Sequence, residues 1–233
     1  MLHRVRNVTM HMHVLGALAL AAIGPVLANG QAPTPSPYTC TMLASERTEE
    51  AGCYIVASDT VDSLASGELY WHLYTYRTRD EAQTALAAST GLVAESLGKV
   101  WLFAIAPRSW RPPGGQRVSV VGPLPRFAAK KYEVRYLEVV EPAGRTSHTP
   151  VHRHPGLEAW YVVNGQHCAQ TPGSTKVIHA GQGDVIPRGV PMMLTPLTST
   201  QTERHITLVL LDADQPWTTR AADWKPESSC PTE

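Results

Sequence analysis

Residues 152–165 read HRHPGLEAWYVVNG, and the fold turns on this stretch. His152 and His154 stand two positions apart. Alternate side chains of a strand share one face, so both imidazoles can reach one ion. Glu158 follows after three intervening residues and opens an apolar run, Trp160-Tyr161-Val162-Val163, with the character of a strand. Asn164-Gly165 is the strongest short hairpin signal and returns the chain. Two imidazoles and a carboxylate converging from adjacent strands suit Fe(II), Mn(II), Ni(II) or Zn(II). If Glu158 points inward, parity sends Trp160 and Val162 the same way.

Outward from this stretch the pattern is strand after strand. Tyr132 to Val140, Glu158 to Val163, His167 to Gln170, Lys176 to His179, Met192 to Pro196 and Glu203 to Leu211 all read as extended. Gly, Pro or Asn separates most of them, and no helical pattern intervenes. Many short strands without helices predict a sandwich or barrel, so the chain is expected to be mainly β.

The spacing also resembles a family. His-x-His, three residues, Glu, six residues and Gly is the core of the first cupin motif, and it is matched at His152, His154, Glu158 and Gly165. The glycine usual six positions before the first histidine is here Thr146, with Gly144 nearby. The second motif is present at Gly181, Pro187 and Gly189, but its histidine is replaced by Met192 and its asparagine by Pro196. The resemblance spans roughly residues 130 to 212 and is closest to small single-barrel microbial cupins. It implies a jelly-roll barrel with a ligand cavity and one divalent transition metal, with His152, His154 and Glu158 as ligands. Iron, manganese, nickel or zinc fits these donors better than copper.

The departure at Met192 leaves three readings open. The three residues alone hold the ion, leaving coordination positions for substrate, water or dioxygen; His205 or Met192 supplies a further ligand; or the site has become a metal-free binding pocket. A thioether is a soft donor that suits Cu(I), so Met192 and Met193 with two histidines also frame copper handling as a weaker idea. His148, Trp160 and Met192 are the candidates for cavity wall or catalysis, and Met193, Leu194 and Trp217 for apolar wall or lid. His167 and His179 fall outside both motifs and are expected to face solvent.

The N-terminal part reads differently. Arg4 and Arg6 precede an apolar stretch from Val14 to Ile23, and Val26-Leu27-Ala28 resembles a signal-peptidase site. The expected organisation is a signal peptide (1–28), a Pro-rich linker (29–39), a small α+β unit (40–125), a cupin barrel (126–215) and a C-terminal tail (216–233). In the second unit Leu69, Trp71 and Leu73 alternate with Tyr70, His72 and Tyr74 as in a strand. Thr78 and Glu81 then form a capping-box pair that opens a helix running to about Ala88. His72 reads as a structural histidine, and residues 108 to 131, rich in Pro and Gly, as a connection.

Export implies a periplasmic or secreted protein, where Cys40, Cys53, Cys168 and Cys230 would form disulfides. Four cysteines allow three pairings; Cys40 with Cys53 closes the shortest loop. Lys+Arg and Asp+Glu balance at 20 each, which gives no electrostatic reason to bind nucleic acid or, once the signal is removed, a membrane. The expected partner is a small-molecule ligand or substrate, with homodimerisation suggested by analogy with cupins. Two functions compete: a metal-dependent enzyme of dioxygenase, isomerase or lyase type, and a non-catalytic barrel that captures a ligand or metal.

Overall fold

The structure is a computed structural model and describes residues 34–35, 40–86, 90–145 and 147–231. The expected signal peptide, most of the linker, the helix end near Ala88 and Thr146 lie outside the described residues. In chain order the main elements are β1 (Gly52–Val61), β2 (Tyr70–Tyr76), α1 (Arg79–Leu86), β3 (Thr90–Ser96), β4 (Lys99–Ala106), β5 (Gln116–Val121), β6 (Tyr132–Glu141), β7 (Gly156–Asn164), β8 (Gln166–Thr171), β9 (Ser174–His179), β10 (Gly183–Ile186), β11 (Met193–Leu197) and β12 (Glu203–Asp212).

These strands form three stacked sheets. The central one runs β10-β7-β12-β6-β1, with the short strand Met42–Leu43 added at its edge. One flanking sheet runs β9-β8-β11 and the other β3-β4-β2-β5. The alternation along β7 explains the layering. Leu157, Ala159 and Tyr161 pack with Ile206, Leu208 and Leu210 of β12 and with Trp71, Leu73, Trp101 and Phe103 of the four-stranded sheet. Trp160 and Val162 point the opposite way and meet Ala169, Ile178, Ile186 and Leu194. A sheet buried on both faces needs apolar residues at both parities, which is why β7 and β12 read as near-continuous apolar runs.

The jelly roll is thus the central sheet closed by β9-β8-β11, with the four-stranded sheet packed on its back. The described residues all belong to one compact unit. β1, from the stretch read as a separate α+β unit, pairs along its length with β6, from Gly52 opposite Val140 to Val61 opposite Tyr132. Glu138 adds a polar tie: its buried carboxylate accepts from Ser96 Oγ at 2.7 Å and Leu97 N at 3.0 Å, and pairs with Arg47. Residues 40–125 and 126–215 therefore share a sheet and a core. The stretch read as a connection contains β5, whose Val121 is buried in the inter-sheet core despite the Pro and Gly around it.

Within the four-stranded sheet, Leu69, Trp71 and Leu73 face the core, while Tyr74 faces Ala82 and Ala85 of α1. Thr78 Oγ1 caps that helix by accepting from Glu81 N at 3.2 Å. His72 is fully buried and bonds through Nε2 to the Pro107 carbonyl at 3.1 Å.

Disulfides join Cys40 to Cys53 and Cys168 to Cys230. The second anchors the expected tail, which is part of the fold. Thr219–Arg220 pairs with His152–Arg153, and Arg153 holds Asp223 at 2.8 Å.

Candidate metal centre

His152 lies on a short strand gripped from two sides. Its main chain exchanges hydrogen bonds with Met192 at 2.8 and 3.1 Å, and pairs on the other side with Arg220. Pro155 then turns the chain into β7. Gly156 fits there because a Cβ would stand 1.8 Å from the Leu210 carbonyl oxygen, so only glycine lets β7 approach β12 this closely. Glu158 comes next on the inner face, opposite Val209 and Ile186.

The ligating atoms of His152, His154 and Glu158 all lie within 4.8 Å of one another. The imidazole rings stand 5.0 Å apart and nearly perpendicular. His152 Nδ1 is 2.8 Å from the Pro150 carbonyl oxygen, and His154 Nδ1 is 2.5 Å from that of Trp217. A carbonyl only accepts, so both Nδ1 atoms carry the proton, and each ring when neutral presents an Nε2 lone pair. Those lone pairs face one carboxylate oxygen: Glu158 Oε2 lies 3.1 Å from His154 Nε2 and 3.9 Å from His152 Nε2. That oxygen is buried and has no well-aligned hydrogen-bond donor.

Lone pairs converging on a buried anion repel unless a cation sits among them. The donor set fits a divalent metal, whose bonds of about 2.0–2.2 Å place ligand atoms about 3–3.5 Å apart. The main-chain carbonyls behind each ring act as the outer support that fixes tautomer and aim.

Without metal, charge redistributes within the triad. Burial pulls His152 below the ordinary imidazole value, opposed by Glu158. Burial also lowers His154, but the proximity and charge of Glu158 outweigh it and leave that ring above the ordinary value. Glu158, which burial alone would raise, is brought below the carboxylate range by His154 and then His152.

The site opens into a cavity of about 520 Å³ between the central sheet and β11, covered by Trp217 and Thr219. His-x-His on one strand and the glutamate on the next both face the interior of the barrel, the arrangement that the resemblance to cupins implies. The fold is a mainly-β jelly-roll barrel.

His148 lines the cavity, with Nδ1 on the Thr149 carbonyl at 2.8 Å. Leu194 and Trp217 also line it. Trp160 and Met192 are inside the barrel but pack among Val162, Ile186 and Leu194, outside the cavity lining. Met192 bridges to His152 through its main chain, and its side chain is embedded in an apolar cluster.

His205 reaches the cavity but stands with His167 and Glu203, in a second group whose ligating atoms lie within 4.8 Å of one another. His167 is 1% exposed, contrary to the expectation that it faces solvent, because β8 forms the inner wall opposite β7; His179 is exposed. The missed signal was parity: Glu203, His205 and Thr207 are polar on the inward face of β12, between Ile206 and Leu208 on the outward face. A wider hollow of about 1350 Å³ lies between α1 and the β3–β4 turn. Among the described residues both groups that could hold a metal ion are in the barrel.

No protein-family profile and no curated protein sequence matches the chain. Among solved structures it is similar to a cupin-like protein from Thermotoga maritima, with TM-score 0.33 and 20% identity over 38% of this chain and 64% of that one. It is similar to the DMSP lyase DddQ of Ruegeria pomeroyi, with TM-score 0.32 and 21% identity over 41% of this chain and 45% of that one. A third likeness is to oxalate oxidase in complex with the substrate analogue glycolate, with TM-score 0.30 and 20% identity over 38% of this chain and 45% of that one. The chain spans less than two thirds of the length of each.

Proposed function

We propose that this chain is an exported metalloenzyme acting on a small molecule in the cupin cavity, with a divalent transition metal held by His152, His154 and Glu158. One observation carries the reading. Both imidazoles are locked by main-chain carbonyls with Nε2 turned toward one buried Glu158 oxygen, beside a cavity of substrate size.

The metal, when bound, supplies Lewis acidity or a docking point for dioxygen. Two histidines and one carboxylate leave coordination positions open on the cavity side. His148 Nδ1 faces the Thr149 carbonyl, so its Nε2 is the basic atom and accepts a proton from a substrate entering past it. Leu194, Val209 and Trp217 provide an apolar wall that excludes water. The two disulfides support an oxidising compartment, periplasmic or secreted. Among the described residues no helix is long and apolar enough to cross a membrane.

A second reading is favoured by Met192, which occupies the position of the usual fourth ligand yet keeps its side chain in an apolar cluster. On that reading the barrel captures a small ligand without turning it over. Elemental analysis of the natively secreted protein beside a His152→Ala/His154→Ala variant separates the two. Metal that is present in the wild type and depleted in the variant supports the metalloenzyme. Equal metal content in two folded proteins overturns it and leaves the binding barrel.

A further inference from the structure

We propose that His167, Glu203 and His205 hold a second divalent transition-metal ion, separate from the one at His152, His154 and Glu158. The three residues come from β8 and β12, neither of which carries a ligand of the first site. All three are buried: His167 is 1% exposed, Glu203 0% and His205 4%.

The register separates the two sites. Glu158 pairs with Val209, and His205 lies four residues earlier on the same strand. At about 3.3 Å per residue, the two positions are roughly 13 Å apart along the sheet. The donors accordingly fall into two sets, each with its atoms within 4.8 Å of one another.

Charge and hydrogen bonding both call for a cation here. His205 Nδ1 lies 2.8 and 3.0 Å from the two Glu203 oxygens. His167 is different: its Nδ1 stands 3.5 Å from Glu203 Oε1, and neither ring nitrogen has a hydrogen-bond partner. A buried imidazole always carries a proton or a lone pair on each nitrogen, and leaving both unmatched is costly. Directly across the ladder from Glu203 stands Glu141, also buried, with Arg145 at 3.2 Å. Like charges directly opposite each other destabilise a sheet. A divalent ion between His167, Glu203 and His205 would satisfy the free imidazole and offset the second carboxylate. Two imidazoles and a carboxylate form a recurrent zinc donor set. His167 and His205 line the same cavity as the first site, which provides an entry path.

The test is zinc stoichiometry on the full chain after chelator stripping, reloading and gel filtration. Two equivalents are expected for the wild type and one each for His152→Ala/His154→Ala and His167→Ala/His205→Ala. One equivalent in the wild type, retained by His167→Ala/His205→Ala and lost in the other variant, overturns the second site while leaving the first. One equivalent with the reverse pattern supports the second site and removes the first. Should His167→Ala/His205→Ala fail to fold, anomalous scattering at the zinc edge on crystals of the unaltered protein decides. A peak bonded to His167, Glu203 and His205 supports the site, and its absence in zinc-loaded crystals overturns it.

Discussion

The main-chain carbonyl oxygen of Trp217 holds His154 Nδ1 at 2.5 Å, across a separation of 63 residues. The indole of the same residue lies 5.4 Å from the His154 ring, and the Arg135 guanidinium lies over that indole at 5.2 Å. The segment beyond β12 is thus the outer support of a proposed metal ligand. Trp217→Ala leaves every proposed ligand in place but frees the carbonyl to move. Metal affinity should fall about 10-fold or more, the usual cost of losing such support. Competition against a chromophoric chelator measures it, and unchanged affinity would separate Trp217 from the site.

The disulfide between Cys168 and Cys230 fastens that segment to β8. Its half-cystines are 62 residues apart, so opening it releases a long loop in the unfolded chain. In the chain-entropy account this is worth about 4 kcal/mol. Cys230→Ser should therefore lower the denaturation midpoint clearly. It should also weaken metal binding, because Thr219–Arg220, which pairs with His152–Arg153, belongs to the loosened segment. Chemical denaturation with and without metal separates the effects: metal should stabilise the variant less than the wild type.

The first triad was legible because its residues are close in sequence, and strand parity needs no knowledge of partners. Parity likewise sends Trp160 inward with Glu158, as observed. Of the second triad only Glu203 and His205 share a strand face that parity exposes; His167 joins them only because the two sheets of the barrel face each other. The same limit hid the role of β1: nothing local in Gly52–Val61 tells that it pairs with β6. The surroundings of Met192 were not legible either: its side chain sits among Trp160, Ile186 and Leu194, neighbours that only the closed barrel brings together.

Gly156→Ala tests whether close strand approach positions the glutamate. The added methyl would meet the Leu210 carbonyl at 1.8 Å, a main-chain atom that cannot swing aside. β7 and β12 must separate, at a cost on the order of 3 kcal/mol. Glu158 lies two residues on, so metal affinity should drop together with the melting temperature. A variant that melts as the wild type does would show that the strands have slack at this point.

His72 gives a pH dependence remote from the cavity. Burial holds its imidazole below the ordinary value of 6.5, with the Pro107 carbonyl opposing. The native ring is neutral while the unfolded ring takes a proton near pH 6.5. Its contribution to stability is therefore complete above that pH and is lost as pH falls from there through the lower folded value. One differential proton gives a slope of about 1.4 kcal/mol per pH unit inside that window. His72→Leu removes the titrating group but also the Nε2 bond to Pro107, so it should be less stable at pH 7.5. The difference from wild type should shrink toward pH 5.5. Urea midpoints at the two pH values check this, since wild type and variant share every other histidine and those contributions cancel in the difference. A difference that stays constant with pH would mean that His72 is not held neutral by its burial.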